Sequence, residues 1–413
     1  MNSNQNIEIM APVGSYESLQ AAIQGGADSV YFGTGHLNMR SKSAGNFMLN
    51  DMERIVEICR ENDIKCYLTL NTVIYNADIP SMWKAIDAAK KVKVDAIIAS
   101  DVAVIQYAAN TGMPVHISTQ LNIGNIESVR FFARFADVMV LARELDLEQV
   151  KEISKGVKLH DIKGPSGRLV RLELFAHGAL CMSISGKCYL SLHEYNMSAN
   201  RGECLQLCRR GYTVTDNETG HQLEIDNEYI ISLKDLCTIH FLDKIINAGV
   251  SVLKIEGRAR SPEYVKTVAQ CYKEAILSIQ EGTYSRDKIE TWKKQLASVF
   301  NRGFWDGYYL GQKLGEWSDV YGSKATKKKI YIGKGNNYFS KIKVAEFIIE
   351  TGELEVGDEI LVIGPTTGVL ETTVKEIRVN LEKVNRTIKG DNCSIPIDTV
   401  IRRSDKLYKL VKT

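Results

Sequence analysis

The sequence predicts an α/β chain: a (β/α)8 barrel of the TIM type, followed by a small C-terminal β-barrel domain. Three observations carry this expectation. From residue 7 to about residue 282, eight short apolar runs alternate with amphipathic helical stretches. The runs are continuous in Val, Ile and Leu, as strands buried on both faces are, rather than alternating. From about Lys327 the pattern changes to short strands at close spacing with Gly and Asp turns, the pattern of a small β domain. Eight β-then-α units favour closure into a barrel over an open doubly wound sheet, and no G-x-G-x-x-G follows the first run.

The eight runs in order are IEIMAPV, SVYFGT, KCYLTLNT, DAIIASD, PVHISTQ, DVMVLARE, RLELFAH and VSVLKIEGR. SYESLQAAIQGG is the first helical stretch, and LKDLCTIHFLDKIINAG is read as the helix before the eighth run. After the helix SPEYVKTVAQCYKEAILSIQEG, residues 286–300 read as another helix and FNRGFWDGYYLGQ as an aromatic connector punctuated by glycine. The expected domains are therefore a barrel over residues 1–285 with a cysteine loop inserted at 178–212, a connector over 286–325, and a β domain over 326–413. Lys324, Lys327, Lys328, Lys329, Lys334, Lys341 and Lys343 make the start of that domain basic, with Tyr331 and Tyr338 interleaved. Such a face is either a solvated lysine surface or one that tracks a phosphate backbone.

Composition narrows the class. The chain has 413 residues, 44% hydrophobic and 25% charged, with a formal net charge of +2. These are the values of an ordinary globular protein, and any nucleic-acid contact needs a local patch. The N-terminus lacks the pattern of a signal peptide, and no apolar run reaches membrane-spanning length. Nine cysteines, an odd number, point to a reducing cytoplasm rather than a disulfide framework.

Four of the nine cysteines crowd into one loop after the seventh run: Cys181, Cys188, Cys204 and Cys208, spaced C-x6-C-x15-C-x3-C. Four thiolates satisfy either a tetrahedral zinc ion or an iron–sulfur cluster, and this spacing leaves the metal open. The bland reading, four buried reduced thiols, sits poorly with the polar company of Gly186, Lys187, Asn200, Arg201 and Gly202. The loop leaves the barrel at the C-terminal ends of the strands, where barrel enzymes place their chemistry. The strand exits there supply Asn71, Asp101, Ser118, Gln120, Arg143, Glu144, His177, Glu256 and Arg258, with Arg40 in the loop after the second run. Singly these are as often caps or rim ion pairs. Glu256 and Arg258, two apart, share a face and can simply pair, whereas Arg143 and Glu144 point opposite ways.

The segment ELFAHGALCMSISGKCYLS resembles the motif of the collagenase-like peptidase family, whose catalytic type is unassigned. MAPVGSYESLQAAIQGGADSVYFG, residues 40–47 ending AGNF, and LKIEGRARSPEYV extend the resemblance over essentially the whole chain. Several members of that family are implicated in oxygen-independent hydroxylation of the tRNA wobble uridine with prephenate, of ribosomal RNA, or of quinone precursors. The resemblance implies a [4Fe–4S] cluster on Cys181, Cys188 and Cys204. GECLQLCRR, similar to the tRNA branch, nominates Cys208 as fourth ligand, with Cys237 in reserve. It further implies prephenate as co-substrate and tRNA as partner, with Arg40, Asn71, Arg143 and Arg258 binding a small dicarboxylate. His177, Glu256 and Gln120 are the residues expected to orient or exchange protons with reacting groups. Residues 353–363 resemble the second domain of translation elongation factors, which touches tRNA there. Proteolysis is the alternative: His177 lies four residues before Cys181, but thiolates holding a metal are not free to attack, and neither H-E-x-x-H nor G-x-S-x-G occurs. A non-catalytic RNA-binding iron–sulfur protein is the third class.

Overall fold

The computed structural model describes residues 6–42, 45–213, 215–220, 231–313, 315–320 and 322–413, so Ser43 and Ala44 of the AGNF segment lie outside it. Nine strands belong to the first region: β1 (Glu8–Pro12), β2 (Ser29–Phe32), β3 (Lys65–Leu70), β4 (Ala96–Ala99), β5 (Val115–Ile117), β6 (Val138–Val140), β7 (Arg171–Ala179), β8 (Asp235–Cys237) and β9 (Val252–Ile255). β1 to β7 pair in parallel, each with the next, and β9 joins β7 to β1. The ring is closed by eight strands, and these are the eight apolar runs of the sequence.

The helices α1 (Tyr16–Gln24), α2 (Asp51–Glu61), α3 (Ile79–Val92), α4 (Val102–Asn110), α5 (Ile126–Phe132) and α6 (Leu147–Leu159) alternate with the first strands. Their starts are written in the sequence. Ser15 caps α1 by accepting from the Ser18 amide, and Asp146 with Gln149 forms a reciprocal capping box on α6. Buried residues of both strands and helices form one large core between sheet and helices. Inside the ring, Met10, Tyr31, Ile98 and Val252 belong to a separate apolar layer. Below it, Glu8 bonds Arg171 at 2.7 Å and accepts from the Tyr67 hydroxyl at 2.7 Å. Burial works against this carboxylate, but Arg171 and Tyr67 more than offset it and hold Glu8 at about 2. The end of the barrel at Glu8 thus holds polar side chains paired with one another, and the cysteine loop leaves from the opposite end.

One stretch departs from expectation. The segment before β9, read as helical throughout, begins with the strand β8, and helix is confined to α8 (Leu242–Asn247), after a short α7 (Leu190–Tyr195) in the cysteine loop. The cause lies in β7. At nine residues it outruns the barrel, and its ladder with β9 is broken between Phe175 and His177. Its emerging end pairs antiparallel with β8, His177 opposite Cys237 and Ala179 opposite Asp235, which gives its backbone groups partners. After α9 (Pro262–Gln280) and α10 (Arg286–Ser298), the connector contributes β10 (Phe304–Trp305), parallel to β8.

The C-terminal region is one antiparallel sheet of eight strands: β11 (Lys327–Phe339), β12 (Val344–Ile349), β13 (Glu359–Gly364), β14 (Gly368–Thr373), β15 (Ile377–Val379), β16 (Glu382–Val384), β17 (Asn392–Pro396) and β18 (Lys406–Lys412), in the order 14-13-18-11-12-17-15-16. Ile360 and Val362 of β13 share a core with Ile377 of β15, near the other end of that order, so the sheet wraps around its own interior. The β13–β14 hairpin docks on the barrel. Leu361, Ile363 and Val369 join the large core, the Gln24 side chain bridges Thr367 and Val369 at 2.9 Å each, and Lys266 donates to the Val369 carbonyl at 2.9 Å. Among the described residues, no helix is long and apolar enough to cross a membrane.

Candidate functional site

At the end of the barrel from which the cysteine loop leaves, a cavity of about 90 Å³ is walled by residues from seven of the eight strands or their exits and by the cysteine loop. Strand periodicity explains its charged wall. Lys254, Glu256 and Arg258 are spaced by two along β9 and its exit, so all three face inward. Glu256 and Arg258 do not pair with each other. Glu256 takes Arg40 instead, Nη2 to Oε1 at 2.6 Å and Nε to the same oxygen at 3.2 Å. Arg258 donates to the Thr69 hydroxyl at 3.1 Å and to Asn38 Oδ1 at 2.9 Å, both neutral acceptors. Burial raises the Glu256 carboxyl, but Arg40, Arg143 and Arg258 outweigh it and hold the group at about 2. Burial lowers Arg258 to about 10, still a cation at neutral pH.

Arg143 follows β6 and lies with its guanidinium carbon 4.1 Å from the centre of the Phe175 ring, while its Nε is buried without an acceptor. Glu144, its neighbour, is exposed, as alternation requires. Asn71 and Gln120 meet: Asn71 Nδ2 is 3.4 Å from Gln120 Oε1 and from the Ser118 hydroxyl, and Ser118 bonds Gln120. Asp101 stands apart; it caps α4 through the Ala103 amide and accepts from the Ile74 amide. His177 also stands apart. It is buried against Tyr264, Tyr272 and Phe304, its Nδ1 is 3.5 Å from the Tyr272 hydroxyl, and it is not part of the cavity wall. Burial, aided by Arg260, pushes its pKa down to about 3. The bulge that carries β7 out of the barrel turns this side chain away from the mouth.

The cysteine loop folds over the cavity. Cys181, Cys188 and Cys204 line it, and the Cys208 thiol lies within electrostatic range of all three, its pKa raised by burial and by those neighbours. All four are free thiols. Cys237 is elsewhere, buried in β8 beside Tyr272, where burial raises it to about 11. Among the described residues, no three Cys, His, Asp or Glu side chains stand together at ligating distance. The loop therefore gathers four soft donors in one place without closing them on a centre. It is anchored at several points. The Ser41 hydroxyl donates to the Gly202 carbonyl at 3.1 Å, and Arg201 bonds Asp78 at 2.5 Å with its guanidinium over the Tyr75 ring. Arg209 donates to the carbonyls of Leu180 at 2.6 Å and Leu233 at 2.7 Å. Gly202 has φ +81°, and a Cβ there would lie 2.1 Å from the Asn38 carbonyl, so only glycine lets the loop close this tightly.

A second opening, a cleft of about 520 Å³ between barrel and C-terminal sheet, shares Arg40 and Glu256 with the cavity and also borders Gln206, Phe300 and Lys329. The lysine-rich start of the C-terminal domain is less cationic than its sequence suggests. Lys324, Lys327, Lys329, Lys334 and Lys343 pair with Asp319, Glu359, Glu263, Glu350 and Asp398. Tyr331 and Tyr338 give their hydroxyls to Glu350 and to the Ile397 carbonyl. Apart from Asp319, a near neighbour of Lys324, these carboxylates are distant in sequence and fold back onto the run, which a local reading of charge does not detect.

The model of peptidase family U32 matches residues 14–319, which span the barrel and its cysteine loop. The chain belongs to peptidase family U32. Among curated relatives of this U32 protein, a "Collagenase" of Porphyromonas gingivalis is 61% identical over 412 residues, covering 100% of this chain and 99% of that protein. "tRNA hydroxylation protein P1" of Bacillus subtilis is 29% identical over 90% of this chain and 86% of its own length. "23S rRNA 5-hydroxycytidine C2501 synthase" of Escherichia coli is 31% identical over 76% of this chain and 47% of its own. Names of both kinds, collagenase and RNA hydroxylation, thus occur within one family.

Sequence reading passed over several residues of the site. Lys254 sits on the floor of the cavity, bonded at 2.7 Å to Glu173 of β7, which is fully buried. The period of two that selects Glu256 and Arg258 also selects Lys254, so the signal was present. Asn38, which receives Arg258, lies in an irregular loop and carried none.

Proposed function

We propose that this U32 protein is an RNA-modifying enzyme of the cytoplasm that hydroxylates a tRNA wobble uridine without oxygen, using a small dicarboxylate, prephenate, as co-substrate. The observation that carries the reading is the charge balance of the cavity. Four cations (Arg40, Arg143, Lys254 and Arg258) face it against Glu256 on the wall and Glu173 behind Lys254, leaving two positive charges uncompensated. Among the described residues, Arg143 and Arg258 have no carboxylate within ion-pair distance. Cations in such excess, Lys254 and Arg258 buried and Arg40 and Arg143 half-buried, suit a dianion, and guanidinium forks suit carboxylates. RNA hydroxylation among the named relatives supports the same direction.

Cys181, Cys188, Cys204 and Cys208 would hold a [4Fe–4S] cluster, which suits thiolate donors and supplies one-electron chemistry when bound. The chain's own residues perform the rest. Arg143 and Arg258 bind the carboxylates, and Arg40, tethered by Glu256, closes the side that faces the interdomain cleft. Asn71 and Gln120 orient the ligand by hydrogen bonds, and the apolar layer beneath keeps water from entering through the barrel. The cleft, reached past Arg40 and Gln206, is the route by which an RNA strand approaches.

The name collagenase on a close relative favours proteolysis as the second reading. A cysteine peptidase needs a base facing its thiol. His177, the residue nearest in sequence, faces Tyr272 and is held neutral by burial, so that pair is not formed. The test is complementation of a strain lacking the protein. Arg258→Met and Arg143→Met should each abolish the hydroxyuridine restored by the wild type while leaving the chain folded. Full restoration by both variants refutes the dicarboxylate site.

A further inference from the structure

We propose that Lys254 captures the carbonyl of a 2-oxo carboxylate as a covalent imine, with Glu173 receiving the ammonium proton. The proposal rests on the reading of the cavity as a carboxylate site and adds a chemical step to it. The amine stands on the cavity floor, between the rings of Tyr31 at 4.7 Å and Phe175 at 5.7 Å. Among the described residues, its one carboxylate partner is Glu173 Oε1 at 2.7 Å, and Glu173 Oε2 is buried with no hydrogen-bond partner. A buried ion pair with one oxygen left unsatisfied is costly as pure structure, and replacing it with apolar residues would serve the barrel better. The same barrel shows the alternative: at its opposite end Glu8 satisfies both oxygens, through Tyr67 and Arg171.

The geometry sets the amine beside its proton acceptor, 2.7 Å away. Three guanidinium groups line the same cavity and would hold the carboxylate of a ligand beside the amine. Burial raises the pKa of Glu173, so this carboxyl is suited to keep the proton it receives. The step balances. The ammonium passes one proton to Glu173. The free amine attacks the carbonyl carbon, and the carbinolamine that results loses its oxygen and the second nitrogen hydrogen as water. A C=N bond replaces the C=O bond with no change of oxidation state. A ligand carboxylate on Arg143 or Arg258 would place the adjacent carbonyl toward the floor, so the class selected is a 2-oxo acid. Prephenate carries that group, as does pyruvate.

The full-length protein is incubated with pyruvate and reduced with sodium borohydride, then examined by intact mass and peptide mapping. One stoichiometric reduced pyruvyl adduct on the Lys254 peptide is expected. Lys254→Arg, which keeps the ion pair but cannot form an imine, should show none. Glu173→Gln should slow trapping by about a hundredfold, the scale of a lost proton-transfer partner. The double variant Lys254→Met with Glu173→Leu removes the pair without stranding a charge and should also be unlabelled. Equal labelling of wild type and Lys254→Arg, or adducts only on other lysines, overturns the proposal. Trapping on Lys254 in a protein whose loss leaves RNA nucleosides unchanged supports carbonyl capture while removing the RNA reading. Loss of hydroxyuridine without any Lys254 adduct does the reverse.

Discussion

Glu256→Gln is the perturbation that most directly probes how the mouth of the barrel is held together. The carboxylate sits among Arg40, Arg143 and Arg258, and its pKa of about 2, against an ordinary 4.5, measures how much more strongly they favour its charged form. Through proton linkage that depression is worth about 3 kcal/mol of native-state stability at neutral pH. The amide keeps the shape and loses the charge, so Arg40, half-buried with 22% of its side chain exposed, is left without its partner, at a cost near or below the about 3–5 kcal/mol of fully buried pairs. Because the folded pKa is depressed, the contribution is fully present above the unfolded value near 4.5 and is lost as pH falls toward 2. Urea unfolding followed by tryptophan fluorescence should show the variant about 3 kcal/mol less stable at neutral pH. The gap should narrow as pH drops below about 5, by about 1.4 kcal/mol per unit through the titration. A gap below about 0.5 kcal/mol, the size of an ordinary surface change, would refute the pairing. So would a gap that does not change between about pH 5 and pH 3.

Four further outcomes are expected. Protein purified without air should lose its iron in Cys208→Ala and keep it in Cys237→Ala, because Cys208 lies with the other three thiols and Cys237 lies in β8; the reverse pattern reassigns the fourth ligand. Gly202→Ala should displace the cysteine loop, since its Cβ would meet the Asn38 carbonyl, and iron content together with thermal stability should fall. Replacing Lys327 and Lys329, whose charges are matched by Glu359 and Glu263, should change the salt dependence of RNA binding by less than about one unit of slope, whereas Arg210→Ala, beside Tyr195 at the exposed end of the cysteine loop, should remove about one. His177→Phe should leave modification intact, because the ring is packed among aromatics; a loss exceeding about a hundredfold would return it to the catalytic set.

The barrel was legible because parallel strands buried on both faces leave continuous apolar runs, and each of the eight runs became a strand. The cysteine loop was equally plain: four thiols in one polar stretch are rare enough to be read directly. β8 was not legible. Its three residues look like the first turn of a helix, and they became a strand only because the emerging end of β7 lacked a partner. The ring of polar strand exits separated along physical lines. Residues at a period of two on β9 faced inward together, and Arg143 was chosen over Glu144 by alternation. His177 lies outside the cavity wall because the β7–β9 ladder breaks between Phe175 and His177, a bulge invisible in sequence. The lysine run is neutralised for another reason: Glu263 of α9, Glu350 just past β12, Glu359 of β13 and Asp398 after β17 reach it through the fold, and Asp319 alone is a near neighbour in sequence. Glu173 shares that lesson: the period of two marks Lys254 as facing inward, but its pairing with Glu173 across two strands is visible only in the fold.

Mass spectrometry of nucleosides from bulk tRNA and rRNA, prepared from cells with and without this protein, tests the central claim most directly. Loss of a hydroxylated wobble uridine from tRNA, restored by the wild-type chain but not by Arg258→Met, is the expected result. Unchanged tRNA and rRNA nucleosides, together with loss of a collagen-cleaving activity in the same cells, would contradict it.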